Sequence, residues 1–128
     1  MDNYNRSLRE KLGLKDSIKV KEDLIETAVK TLGIEVVPYN MLDEKPQQLN
    51  NPRMPFPSLR FLPLEMVVQA LIDTNGTIVV CQMSKTSGIK AFDVVVINAF
   101  QKTKFTPPKQ HGQKVYTIMA RPLKFSVR

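Results

Sequence analysis

The stretch MVVQALIDTNGTIVVCQM, residues 66–83, decides the fold of this chain. Two runs rich in β-branched residues, 66–72 and 78–83, flank a turn that contains Asn75 and Gly76. Asn and Gly tolerate the positive φ angles that a two-residue hairpin turn requires, and β-branched side chains suit a pleated surface. The stretch therefore predicts two antiparallel strands joined by a tight hairpin turn.

A helix is predicted over residues 91–103, after the polar loop that follows the hairpin. Apolar residues recur there at the spacing of one helix face: Phe92, Val95, Val96, Ala99 and Phe100. The β-branched run at 94–97 favours a strand by local propensity. We give the periodicity more weight, because Asp93 near the start and Lys102 near the end also suit the helix dipole. The apolar face is predicted to belong to the core.

A third strand is predicted over residues 115–120, with Pro122 interrupting it before residues 123–127. Proline lacks a backbone N–H and is found in sheets at edges or bulges. The third strand is therefore predicted to lie at an edge of the sheet.

The N-terminal part of the chain predicts one amphipathic helix over residues 20–32, which Gly33 ends. A shorter helix is predicted over residues 6–12, and residues 34–37 alternate like a short strand. Between residues 40 and 63 five prolines argue against regular structure over most of the segment, apart from a helical turn near residues 58–62. We therefore divide the chain into an N-terminal extension, 1–48, that ends in a proline-marked linker, and a domain, 49–128.

Composition argues against catalysis and against a metal or cofactor site. His111 is the sole histidine, so a cluster of histidine ligands is excluded, and the five glycines form no phosphate-binding loop. Cys81 is the sole cysteine and falls within a predicted strand, which indicates packing. The net charge of +7 comes from dispersed lysines and arginines, which argues against nucleic acid. We predict a protein that is not an enzyme and needs no cofactor.

The order of these segments resembles the C-terminal domain of the TonB family of energy transducers and, more distantly, TolA. The matching pieces span about residues 50–127. They are Phe56-Pro57, Asn75-Gly76 with Ile78 and Val80, Thr86-Ser87-Gly88, Phe92-Asp93, Asn98-Ala99, Phe105-Thr106-Pro107, Gly112 and Pro122-Leu123-Lys124-Phe125.

The resemblance implies an α+β fold in which a small three-stranded antiparallel sheet carries helices on one face. It also implies a periplasmic module that binds the extended N-terminal peptide of an outer-membrane transporter or receptor by strand addition. Two segments would hold the peptide, an arm before the first strand and the edge strand. Their residues are Arg53, Met54, Pro55, Phe56, Pro57 and Ser58, then Lys114, Val115, Tyr116, Thr117, Ile118, Met119 and Ala120.

Further partners and alternatives stay open at this point. A longer native chain would carry an inner-membrane anchor, contact inner-membrane motor proteins and couple inner-membrane energy to transport. A native start at Met1 would favour the cytoplasm and a basic adaptor that binds nucleic acid or an acidic protein. The helix and strand at residues 20–37 are also candidates for a homodimer interface.

Overall fold

The computed structural model describes residues 23–126, which form two α-helices and a mixed four-stranded sheet with a small two-stranded ribbon. Single 3-10 turns lie at Tyr39–Met41 and Leu59–Phe61. The helix predicted over residues 6–12 lies outside the described residues. The elements are α1 Leu24–Leu32, β1 Val36–Pro38, β2 Leu64–Ile72, β3 Ile78–Lys85, α2 Lys90–Phe100, β4 Lys109–Gln110, β5 Gln113–Lys114 and β6 Tyr116–Phe125.

The main sheet has the strand order β1-β6-β2-β3. Strand β2 lies between β3 and β6 and is antiparallel to both, whereas β1 is parallel to β6. The α+β class is thus as predicted, but the prediction of a three-stranded antiparallel sheet is wrong by one parallel strand. A parallel neighbour is joined through a long connection and not through a tight turn, so no local turn residues announce it.

The hairpin of β2 and β3 is confirmed, although its turn is longer than the predicted two residues. Residues 73–77 form the turn, and the Asp73 carboxylate accepts hydrogen bonds from the backbone N–H groups of Asn75 (2.8 Å) and Thr77 (2.9 Å). Gly76 has a φ of +86°, and its carbonyl accepts a hydrogen bond from Phe105 N at 3.0 Å. The turn therefore also anchors the chain that follows α2.

The main core lies between α2 and one face of the sheet. Helix α2 forms across the β-branched run, as its periodicity predicts, and it buries Val96 and Phe100. Val95 is 48% exposed, so its predicted place in the core is wrong. The core cluster consists of Leu64, Met66, Val68, Ala70, Ile72, Ile78, Cys81, Val96, Phe100, Phe105 and Met119.

Helix α1, which belongs to the predicted N-terminal extension, packs on the side of the sheet that carries Gln69 and Ile118. It begins at Leu24 because the Asp23 side chain accepts a hydrogen bond from Glu26 N at 3.0 Å. Ile25 is its buried residue, and it lines a hollow together with Gln69. Gln69 alternates with the core residues of β2, and successive strand residues point to opposite faces.

The proline-marked segment before β2 is not a free linker. Asp43 N and Glu44 N donate to the Lys109 carbonyl at 2.9 and 3.2 Å, and Lys109 N donates back to the Glu44 carbonyl at 3.0 Å. Leu49 N donates to the Lys104 carbonyl at 2.8 Å. We call these contacts between residues 43–50 and 102–109 the ladder. The predicted domain boundary at residue 48 falls inside it.

Candidate binding edge of the sheet

The outer edge of β6 has two halves with different surroundings. Residues 116–118, the covered half, pair with β1 on the outside, and Thr117 and Ile118 also pair with β2 on the inside. Residues 119–125, the open half, pair with β2, and no other described strand pairs with them. An extended peptide can add only where backbone groups are unpaired. The open half is therefore the part of β6 that is available for strand addition.

The predicted edge segment 114–120 straddles this division. Lys114 belongs to β5 and pairs with Lys109, and Val115 N donates to the Pro108 carbonyl at 3.0 Å. Thr117 is fully buried, and its hydroxyl donates to the Val37 carbonyl at 2.8 Å. The expectation that residues 114–120 form an open edge is thus wrong for 116–118, because the chain's own β1 occupies that place.

The rest of the predicted segment, Met119 and Ala120, lies in the open half. Met119 points into the core, whereas Ala120 is exposed. The prediction that Pro122 interrupts the strand is wrong. Strand β6 continues to Phe125, with Pro122 opposite Val67. The open half therefore extends further along the chain than the sequence indicated.

The predicted arm, residues 53–58, lies beside the open half. Met54 packs against the core, and Pro57 is buried. The Phe56 side chain is 61% exposed, yet its ring meets Phe125 edge to face with centroids 5.9 Å apart. Arg53 and Ser58 are exposed and Pro55 is half-buried. The structure thus brings the arm to the end of β6 that the sequence-based prediction left out.

Arg121 joins the open half to the chain that precedes the arm. Its guanidinium donates to Gln48 Oε1 at 3.1 Å and lies 5.9 Å from the centre of the Phe100 ring. Arg121 therefore connects the open half to Gln48 and to the end of α2.

The opposite edge of the sheet, along β3, carries an apolar groove of about 390 Å³. Its apolar lining includes Leu24, Met83, Val94 and Ile97. The Cys81 thiol also lines it, and burial raises the pKa of this thiol to about 11. A thiol with so high a pKa is a poor nucleophile at neutral pH, so Cys81 acts as a packing residue. Sequence reasoning missed this groove, although the apolar residues Val94 and Ile97, which lie outside the predicted core face of the helix, were its signal.

The described part of the chain, residues 23–126, shows no grouping of three or more histidine, cysteine, aspartate or glutamate side chains suited to a metal ion. Over the same residues neither helix has the length and apolar character needed to span a membrane.

Residues 65–127 match the family described as Gram-negative bacterial TonB protein C-terminal. This stretch belongs to the TonB C-terminal family. The match begins in β2 and covers β3, α2 and β6, which are the hairpin, helix and edge strand that carried the resemblance in the sequence. It leaves out α1, β1 and the arm. No curated protein matches the chain at a significant level.

The family assignment gives the general character of the site. TonB C-terminal domains are non-enzymatic protein-interaction modules of the cell envelope, and the family interacts with outer-membrane transporters. In this chain such a TonB-like domain has one strand edge that is partly covered by residues from outside the matched stretch. This partial cover limits which residues of the edge can pair with another strand.

Proposed function

We propose that this TonB-like domain acts in the periplasm and binds the extended N-terminal peptide of an outer-membrane transporter by strand addition to β6. The observation that carries the proposal is the open half of β6, which has no outer strand among residues 23–126. Main-chain hydrogen bonds would supply affinity there, and side-chain pockets would supply selectivity. Coupling of inner-membrane energy to transport follows from the same proposal when a longer chain supplies an anchor.

The arm supports the proposal because it forms a wall beside the open half. Phe56 presents an exposed aromatic ring that is held against Phe125, and aromatic residues are enriched where proteins bind partners. A peptide strand on the open half would have this ring on one side. The grip we propose consists of Arg53, Met54, Pro55, Phe56, Pro57 and Ser58 with β6, from Met119 onward while β1 is in place.

Charge favours an acidic peptide. Arg53 in the arm is exposed, and Lys114 is exposed beyond the covered half of β6. Lys124 lies 3.7 Å from Glu65, and the side chains of this pair are 69% and 55% exposed, so the pair is weak and leaves much of the lysine charge available. Together with the net charge of +7, these groups would speed the encounter with an acidic partner at low salt.

The test uses isotope-labelled protein and synthetic N-terminal peptides of outer-membrane transporters. We expect chemical-shift changes along residues 119–125 and 53–58 and weaker binding at higher ionic strength. A matched peptide with N-methylated amides at alternate residues is the control, because it keeps the side chains and loses backbone donors. Shifts confined to β3, or equal binding of the N-methylated peptide, would contradict strand addition to β6.

A further inference from the structure

The covered half of β6 shows that this chain already adds a strand to the edge at which the partner is proposed to bind. Val36, Val37 and Pro38 lie opposite Tyr116, Thr117 and Ile118 in a parallel register. We infer that β1 is a built-in competitor, which a partner peptide must displace to use the full length of β6. The competition rests on the proposed function, because it concerns the same edge.

Strand β1 is an addition to the domain and not a continuation of its meander. It lies outside residues 65–127. Val37 and Thr117, which share a hydrogen bond, are 80 residues apart in the chain. The pairing of β2 with β3 and with β6 does not involve β1. The sheet that matches the family can therefore keep its own pairing when β1 leaves.

Strand β1 is attached to the edge of β6 over a short length. The attachment consists of three residue pairs, with one additional hydrogen bond from the Thr117 hydroxyl to the Val37 carbonyl. Val36 and Val37 are half-buried, and Pro38 is exposed and has no N–H to donate. Parallel pairing is also slightly less stable per residue than antiparallel pairing. A longer strand with more donors would have more bonds to offer at this edge.

Anchors on both sides of β1 remain in place when it detaches. Upstream, Ile25 is buried and α1 ends at Gly33. Downstream, Leu42 is buried and Asp43 N is bound to the Lys109 carbonyl at 2.9 Å. Tyr39 packs against the core cluster and belongs to the downstream anchor, so only residues 34–38 need to move. Because the segment is tethered at both ends, it returns to the edge as an intramolecular partner, with an effective concentration on the order of millimolar.

Displacement of β1 would lengthen the run of β6 residues with which a peptide can pair. With β1 in place, a peptide can use residues 119–125, and Pro122 supplies no donor in the middle of that run. With β1 released, the run begins at Tyr116. The segment best suited to replace β1 is extended, with an apolar β-branched residue at the position of Val36, because Val36 lines the hollow under α1 together with Ile25 and Ile118.

The first experiment removes the competitor. The double variant Val36→Gly/Val37→Gly weakens β1, and Val79→Gly, a strand valine on the opposite edge, is the matched control. The probe is a labelled synthetic copy of residues 33–40. We expect the double variant to bind the probe at least about tenfold more tightly than the wild-type protein or the control, with chemical-shift changes at residues 116–118. Equal affinity for all three proteins would overturn the inference.

The second experiment keeps the competitor in place. A disulfide between Pro38→Cys and Ile118→Cys, which lie opposite each other, would lock β1 on β6. We expect the oxidised protein to lose binding of the probe at residues 116–118 and the same protein to regain it on reduction. Binding there by the oxidised form would contradict the inference. This comparison decides the question even when the double variant does not fold.

The same proteins separate this inference from the proposed function. Probe binding that depends on β1, with no transporter peptide bound by any form, would overturn the proposed partner and leave the competition standing. Transporter peptides that bind the wild type, the double variant and the oxidised protein equally would support the partner and overturn the competition. Transporter peptides that bind the double variant more tightly would support both.

Discussion

The two outer edges of the sheet are protected in different ways. Along β3, a side chain bonds a backbone group: Gln101 Nε2 donates to the Ile78 carbonyl at 3.0 Å. Along β6, a strand covers residues 116–118. Unpaired edges invite association with other chains. A side-chain hydrogen bond satisfies a single backbone group, whereas β1 occupies a position on the edge that another strand can take.

The largest expected effect is on the β3 edge, through Gly76→Ala. A Cβ at Gly76 would lie 1.9 Å from the Phe105 carbonyl oxygen, and the φ of +86° is unfavourable for alanine. We expect a loss of more than about 3 kcal/mol in the free energy of unfolding, measured by denaturant titration.

Gly33→Ala is the control for that substitution. Gly33 has a φ of +65°, but a Cβ added there would meet no atom within 4 Å. Gly33→Ala should therefore lower the free energy of unfolding only by the conformational cost of the positive φ, about 1 kcal/mol. Equal losses for the two variants would mean that the contact between the hairpin turn and Phe105 does not hold the β3 edge.

Ile25→Ala is expected to have the next largest effect, because it removes the buried residue of α1. Ile25 is 4% exposed, whereas its neighbour Leu24 is 45% exposed. We expect Ile25→Ala to cost about 2 to 4 kcal/mol and Leu24→Ala well under half of that. Amide hydrogen exchange would check whether α1 opens alone. Faster exchange throughout β2 would show instead that α1 and the sheet unfold together.

Weakening β1 should lower the free energy of unfolding by less than Gly76→Ala or Ile25→Ala does. Val36→Gly/Val37→Gly removes two half-buried strand residues, and we expect a loss of about 1 to 2 kcal/mol. Thermal unfolding would measure it, with Val79→Gly for comparison. A loss as large as that of Gly76→Ala would mean that β1 is an integral part of the sheet and not a replaceable cover.

The smallest expected effect concerns Asp23, which joins α1 to the β3 edge. Its carboxylate accepts from Glu26 N and from Gln82 Nε2, both at 3.0 Å, and these hydrogen bonds hold its pKa below the ordinary value of 3.8. A lowered folded-state pKa contributes stability above the unfolded value, and that stability is lost as the pH falls through the folded value.

The start of α1 should therefore fray below about pH 3.8. The Glu26 amide shift, followed from pH 6 to about pH 2, would report the fraying. In Asp23→Asn the profile from this site should be flat, because asparagine also caps helices but does not titrate in this range. An unchanged profile in that variant would assign the transition to other carboxylates.

What the sequence predicts well here is local. Asn75 and Gly76 predict the hairpin, and the spacing of Phe92, Val96 and Phe100 predicts α2 despite its β-branched run. These features depend on neighbours within a few residues, so composition and periodicity report them.

What the sequence does not predict is long-range. The pattern of residues 34–37 predicts a short strand, but it does not predict that this strand pairs with Tyr116. The ladder of residues 43–50 is held largely by backbone atoms, and such bonds leave little trace in side-chain pattern. The division of β6 into two halves follows from the first of these features, the pairing of β1 with residues 116–118. It could therefore be seen only once the chain was folded.

The distance along the chain between β1 and β6 also orders events during synthesis. Domains tend to form from the N-terminus as the chain emerges, and Val37 is made 80 residues before Thr117. When the last strand of the nascent domain emerges, its cover is already present on the same chain. New molecules would thus have one end of their most association-prone strand shielded from the moment it forms, at a stage when neighbouring nascent chains are closest.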